Sequence, residues 1–246
     1  MKDPNLLIDW ITRYATFHDK KLVVGISGGI DSSTVAHLCA RTGIDTYLVS
    51  LPLKEEDSKI SKLLNSLEKY TNVTYVKNNI SSCVDSFLND GYPIGIVSEL
   101  TRANMISRVR MIKLYMLANN VNGIVVGTGN KVEDFGVGFF TKYGDGGVDI
   151  SPIADLLKSE VRSFAKLLGV PESIITATPT DGLWEDGRTD EDQIGCSYDE
   201  LEWAMNCISV VTDREKYVFD IYTNLHNKNR HKMELPTVYK WVNSEK

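Results

Sequence analysis

The segment Gly25-Ile26-Ser27-Gly28-Gly29-Ile30-Asp31-Ser32-Ser33 joins an apolar run, residues 22–26, to a helix-like stretch over 34–41. Two adjacent glycines between a strand and a helix let the backbone bend so that successive N–H groups and the helix N-terminus face one anion. Ser27, Ser32 and Ser33 add hydroxyl donors to the same concavity. Neither Gly-x-x-x-x-Gly-Lys-Ser/Thr nor Gly-x-Gly-x-x-Gly occurs here, so the common NTPase loop and the dinucleotide fingerprint do not explain the cradle. A turn with Ser and Asp capping a helix fits the glycines alone, but the full string is more specific than capping. Asp31 would repel phosphate oxygens unless a hard cation such as Mg²⁺ bridges the two sets of oxygens.

The pattern around this junction alternates. Strands are expected near 22–26, 46–51, 73–77 and 123–128, with helices near 31–42, 57–70, 81–89 and 99–119. Asp3-Pro4 ahead of Leu6, Leu7, Trp10, Ile11 and Tyr14 predicts a capped amphipathic helix at the start. Such repeats imply an α/β fold, a doubly wound and mostly parallel sheet flanked by helices, with ligands beyond the carboxyl ends of the strands. The cradle lies at one such end and Gly127-Thr128 at another. Gly43 and Gly123 are expected at helix C-termini with positive φ. Residues 129–156, with six glycines, read as a long ordered functional loop. A helix over 157–168 stops at Gly169 before Pro171, residues 177–196 form a second mobile loop, and 198–225 is helical.

Composition narrows the class. The chain has 246 residues, 42% hydrophobic and 24% charged, with no apolar run near the length of a membrane span and no signal segment, so a cytoplasmic protein is expected. Cysteines 39, 83, 196 and 207 and histidines 18, 37, 226 and 231 show no metal-ligand spacing, and His37 with Cys39 reads as packing. A net charge of −6 weighs against nucleic-acid binding, leaving Lys228-Asn229-Arg230-His231-Lys232 as the one local basic patch.

A second motif is more specific than the first. It runs Gly127-Thr128-Gly129-Asn130-Lys131-Val132-Glu133, then Gly138-Phe139-Phe140-Thr141-Lys142-Tyr143-Gly144-Asp145-Gly146-Gly147-Val148-Asp149. The cradle itself resembles the signature of N-type ATP pyrophosphatases, which adenylate a substrate and release pyrophosphate. With the second motif, Pro152, residues 158–160, Pro179-Thr180-Asp181-Gly182-Leu183-Trp184, Thr189-Asp190-Glu191 and His231-Lys232, the sequence from residue 22 to 232 resembles the ammonia-dependent NAD synthetases.

That resemblance implies a Rossmann-like fold of the adenine nucleotide alpha hydrolase kind and a definite reaction. ATP and nicotinic acid adenine dinucleotide bind with Mg²⁺; the nicotinate carboxylate attacks the α-phosphorus and pyrophosphate leaves; ammonia then displaces AMP to give NAD. It places Gly25, Ser27, Gly28, Gly29 and Ser32 around the triphosphate, Asp31 and Glu133 on Mg²⁺, and Thr128, Lys158 and Thr180 on ATP. It places Arg108, Lys142, Asp149, His231 and Lys232 on the deamidated dinucleotide, and Asp31, Lys158 and Asp149 in the chemistry. Arg110 competes with Arg108, Asp145 and Asp149 both qualify to take a proton from ammonium, and Phe139 and Phe140 suit either base stacking or core. No protein nucleophile is required, and no Ser-His-Asp or Cys-His set is present to supply one.

Glutamine-using relatives carry an amidase domain ahead of this module. Only about twenty residues precede the first strand here, so the expectation is a single NAD synthetase domain over 1–246, without a glutaminase domain, fed by free ammonia. Family members are typically homodimers, and the apolar helix near 99–119 has surface for two faces. The stretch Pro52-Leu53-Lys54-Glu55-Glu56-Asp57 departs from the family's adenine-side loop, which leaves the adenine contacts there unassigned. Loops 129–149 and 177–196 are expected to order on substrate binding and exclude water. Two rivals remain: another adenylating enzyme such as a tRNA thiolase or a purine-forming amidotransferase, and a regulatory nucleotide-binding module that would need neither Glu133 nor Lys158.

Overall fold

Leu22, Val23 and Val24 are all fully buried, so the first strand must be covered on both faces. The computed structural model, which describes residues 2–54, 58–90, 97–180 and 189–241, shows how. In chain order the elements are α1 (Pro4–Phe17), β1 (Lys21–Gly25), α2 (Ile30–Arg41), β2 (Thr46–Ser50), α3 (Ser58–Leu67), β3 (Val73–Lys77), α4 (Ser81–Asn89), α5 (Glu99–Val121) and β4 (Gly123–Val126). A π-helical turn (Lys131–Val137) follows, then α6 (Lys158–Leu168), α7 (Glu172–Ile175), α8 (Asp190–Ile194), α9 (Tyr198–Met205) and α10 (Asp213–Met233).

The four strands form one parallel sheet in the order β3-β2-β1-β4. Residue alternation sorts the two faces. Leu22 and Val24 pack with Ile11, Leu38, Ile60 and Phe164 on one side, while Val23 and Val125 pack with Ile80, Ile106 and Val109 on the other. A third apolar cluster, with Val132, Val137, Tyr198, Leu201 and Val218, joins the π-helical turn to α9 and α10. Chain order reverses beside β1, whose neighbours are β2 on one edge and β4 on the other, and such a switch point opens a crevice at the strand ends.

Most expected elements are present, and the differences have local causes. Residues 198–225 are two helices rather than one, because Ser197 and Thr212 each begin a capping box, with Glu200 and Glu215. α5 ends on Asn122 in the left-handed conformation at φ 55, so Gly123 is not the cap. Gly123 opens β4, where a Cβ would sit 3.2 Å from the Lys21 carbonyl oxygen. Gly43 does take a positive φ of 75. The interval 129–156 holds the π-helical turn, and Ile150 bridges in parallel to Val126. Within the region expected as the second loop, 190–194 is helical and 181–188 lies outside the described residues, as do 55–57 of the adenine-side stretch.

His37 is part of the packing, as its sequence context suggested. Ser66 Oγ donates to the Leu63 carbonyl at 2.6 Å, so its 3.0 Å contact with His37 Nε2 requires the imidazole to donate there. Burial, with the positive charges of Arg41 and Lys69, pushes His37 down to about 4 from an unfolded value near 6.5. Below pH 6.5 the unfolded chain therefore binds the extra proton, and stability falls as pH drops towards 4. Urea unfolding should show a loss of roughly 2–3 kcal/mol from this residue between pH 7 and 4. His37→Gln should flatten that part of the profile; an unchanged slope contradicts the assignment.

Candidate active site

At the carboxyl ends of β1 and β4 a cavity of about 1400 Å³ is lined by the cradle, by Gly127, Thr128 and Gly129, and by Glu133, Lys158 and Thr180. The cradle closes on itself through its serines. Ser27 N donates to Ser32 Oγ at 3.2 Å, Gly29 N to Ser27 Oγ at 3.2 Å, and Ser32 Oγ to the Gly29 carbonyl at 3.1 Å. Gly28 takes φ +81, a backbone conformation that favours glycine, and a Cβ there would make a tight 3.1 Å contact with Lys59 Cβ. The α2 N-terminus has no side-chain cap, leaving its first N–H groups to an anion. Ser33 is fully buried and does not line the cavity, in contrast to the sequence expectation.

Behind the cradle three charged groups converge. Lys158 Nζ donates to Asp31 Oδ2 at 2.6 Å and to Glu133 Oε1 at 2.8 Å. Asp31 is on the first turn of α2, Glu133 on the π-helical turn and Lys158 at the first position of α6, so three separate stretches of chain meet here. Asn130 fixes the geometry: its Oδ1 accepts from Val132 N and Glu133 N, and its Nδ2 donates to Asp31 Oδ1 at 3.3 Å. Tyr198 OH donates to Glu133 Oε1 at 2.5 Å.

The electrostatics follow from this crowding. Burial alone would lower Lys158, but the two carboxylates outweigh it and hold the ammonium above its ordinary value. Burial raises Asp31, aided by the Glu133 charge and only partly opposed by Lys158. For Glu133, burial also acts upward, yet Lys158, Tyr198 and Asn130 outweigh it and keep the carboxyl below its usual range. Two carboxylates around one ammonium carry a surplus negative charge. That donor set suits a hard divalent cation completed by phosphate oxygens and water. Among the described residues there is no group of three His, Cys, Asp or Glu side chains able to hold a metal without such help.

The remaining expected residues divide. Thr128, Thr180 and Lys232 line the cavity with Gly25 and the cradle. Lys232 Nζ donates to the Gly138 carbonyl and to Phe140 O at 2.7 Å, tying α10 to the loop. Lys142 donates to the His231 carbonyl, and Arg108 Nη2 to the Lys142 carbonyl at 3.4 Å; these three form a basic edge outside the cavity lining. Arg110, the alternative arginine, does line the cavity. Asp149 does not: its oxygens accept from Val125 N at 2.7 Å and Tyr115 OH at 3.1 Å, which pins the loop to β4. Asp145 lines the cavity, anchored by Ser107 Oγ at 2.6 Å and Thr141 N at 2.9 Å. Phe139 and Phe140 also face it.

Sequence reasoning missed three neighbours. Asn130 was legible as a cap, three residues before Glu133. Asp134 lies in the cavity with its carboxylate over Gly129, where a Cβ would come within 1.8 Å of Oδ2. Tyr198 is 65 residues from its partner Glu133, and no local pattern links them.

The family model for NAD synthase matches residues 5–241. The chain belongs to the NAD synthase family. It is 40% identical over 221 residues to the NH(3)-dependent NAD(+) synthetase of Thermoplasma volcanium, covering 89% of each chain. Among solved structures it superposes on NMN synthetase from Francisella tularensis with a TM-score of 0.87 at 30% identity, covering 98% of this chain and 100% of the other. The NH3-dependent NAD synthetase of Campylobacter jejuni gives 0.78 at 26% identity over the same shares.

Removing the shared cation tests the cluster. Lys158→Met leaves two half-buried carboxylates face to face and should cost about 2–4 kcal/mol in urea unfolding at pH 7.5. Without the ammonium both carboxyls titrate higher in the folded chain, so the loss should shrink as pH falls towards 4.5. A midpoint equal to that of the unaltered chain at pH 7.5 contradicts the arrangement.

Proposed function

We infer that the cavity holds ATP and nicotinic acid adenine dinucleotide together and that the chain makes NAD from them with ammonia. The nicotinate carboxylate oxygen attacks the α-phosphorus and the bond to the leaving pyrophosphate breaks. Ammonia then attacks the acyl carbon, loses a proton, and AMP departs with the carboxylate oxygen. The observation that carries this reading is the Asp31–Lys158–Glu133 cluster set directly behind a phosphate cradle in a member of this family.

Each residue then has a task. Gly25, Ser27, Gly28, Gly29 and Ser32 present N–H and hydroxyl donors to the triphosphate, with Thr128 and Thr180 at the cavity wall. Asp31 and Glu133 would hold Mg²⁺, which when bound supplies positive charge to the phosphate oxygens. Lys158 neutralises the charge that grows on the departing pyrophosphate. The edge formed by Lys142, His231 and Lys232, with Arg108 or Arg110, suits the anionic dinucleotide. Asp149 holds the end of β4 in register beneath it, and Asp145 is the carboxylate within the cavity for the ammonium proton. Proximity of the two bound substrates supplies the rest of the acceleration.

Further parts of the proposal concern assembly and location. We propose a single catalytic domain acting as a homodimer, supported by Phe87, Leu100, Ile112 and Met116, which leave 45–61% of their surface exposed on α4 and α5. The Mg²⁺ requirement rests on the donor set. A cytoplasmic location is supported by four free cysteines; no helix among the described residues is long and apolar enough to cross a membrane. The superposition on NMN synthetase favours a second acceptor, the shorter nicotinate mononucleotide.

The purified chain with ATP, Mg²⁺, ammonium and nicotinic acid adenine dinucleotide should yield NAD, AMP and pyrophosphate in equal amounts, and glutamine should not replace ammonium. Asp31→Asn should lower kcat by about 100-fold or more while the protein stays folded. ADP in place of AMP, or equal turnover with glutamine, overturns the reading. A higher kcat/KM for the mononucleotide would make it the preferred acceptor.

A further inference from the structure

The two largest fully buried side chains, Tyr198 and Lys158, both carry a polar end, and those ends meet at the same oxygen of Glu133. Tyr198 OH lies 2.5 Å and Lys158 Nζ 2.8 Å from Glu133 Oε1, and Lys158 Nζ is 4.9 Å from the centroid of the Tyr198 ring. A phenol has one proton to give, and Tyr198 OH, at 2.5 Å from Glu133 Oε1 against 3.3 Å from Asp190 Oδ2, gives it to Glu133.

We propose that Tyr198 is a positioning residue for the adenylation step, holding Glu133 while Lys158 turns to the phosphates. Lys158 Nζ bridges Asp31 and Glu133, the two carboxylates that would hold the divalent cation. The phosphates of a bound nucleotide would draw the Lys158 ammonium towards them, and Glu133 would then lose its 2.8 Å partner. The Tyr198 hydrogen bond on Oε1 would remain, holding the carboxylate rotamer of Glu133 in place for the cation. A tyrosine serves here because its ring also packs in the third apolar cluster, with Leu201 and Val132, and so cannot follow the lysine. The backbone beneath it is fixed as well: Tyr198 N donates to Glu191 Oε1 at 2.9 Å, and Ser197 caps α9. Groups that orient a metal ligand in this way typically contribute 10–100-fold to metal affinity.

The inference rests on Glu133 as a cation ligand, and the test separates the two claims. Mn²⁺ binding is measured by electron paramagnetic resonance on the full chain with α,β-methylene ATP, which cannot release pyrophosphate. Tyr198→Phe should weaken Mn²⁺ binding by about tenfold or more, while melting without nucleotide changes little. Glu133→Gln should weaken it too, and adding Tyr198→Phe to that variant should cost nothing further. Unaltered binding in Glu133→Gln overturns the ligand assignment. A loss in Glu133→Gln with unaltered binding in Tyr198→Phe, or additive losses in the double variant, overturns the role of Tyr198. If Tyr198→Phe does not fold, 3,5-difluorotyrosine at 198 keeps the shape with a stronger donor. It should shift Mn²⁺ affinity, and an unshifted value again overturns the proposal.

Discussion

A buried ammonium between two carboxylates ties three separate stretches of the chain together at the mouth of the sheet. Lys158 is 1% exposed, and such a charge is tolerated away from water only because Asp31 and Glu133 lie within 2.8 Å of it. Each partner comes from a different connection of the sheet. α2 follows β1, the π-helical turn follows β4, and α6 packs on α2 in the first apolar cluster through Phe164 and Ala165. The ion pair therefore closes the switch point of the sheet from above, and the cradle in front of it inherits that rigidity.

The same contact explains why the site is built from irregular backbone. A π-helical turn widens the helix so that Glu133 and the adjacent Asp134 both reach the cavity, and such turns often mark functional sites. Asn130 caps the entry to this turn, satisfying two backbone donors and one carboxylate. Gly129 and Gly144 leave room for side chains that lie directly over them, Asp134 and Ser107. The arrangement is specific because packing and charge demand the same residues.

Much of the fold was legible in the sequence because parallel strands buried on both faces read as short apolar runs between amphipathic helices. The cradle and the second motif likewise announced phosphate and carboxylate chemistry through local strings. What could not be read was how distant groups share a site. Asp31, Glu133 and Lys158 could each be singled out, but not that the lysine sits between the acids. Tyr198 lies 65 residues from Glu133, beyond α6 and α7, and the third apolar cluster brings it in. Asp149 illustrates the converse: a motif carboxylate turned to the backbone of β4, which spacing alone does not distinguish from one turned to a ligand.

On this reading the cluster activates the α-phosphorus of ATP for attack by a carboxylate before ammonia enters. Exchange of labelled pyrophosphate into ATP, measured with nicotinic acid adenine dinucleotide present and ammonia withheld, tests it most directly. Exchange should require the dinucleotide and be abolished by Glu133→Gln. Absence of exchange in a preparation that forms NAD once ammonia is added, or exchange undiminished by that substitution, would contradict it.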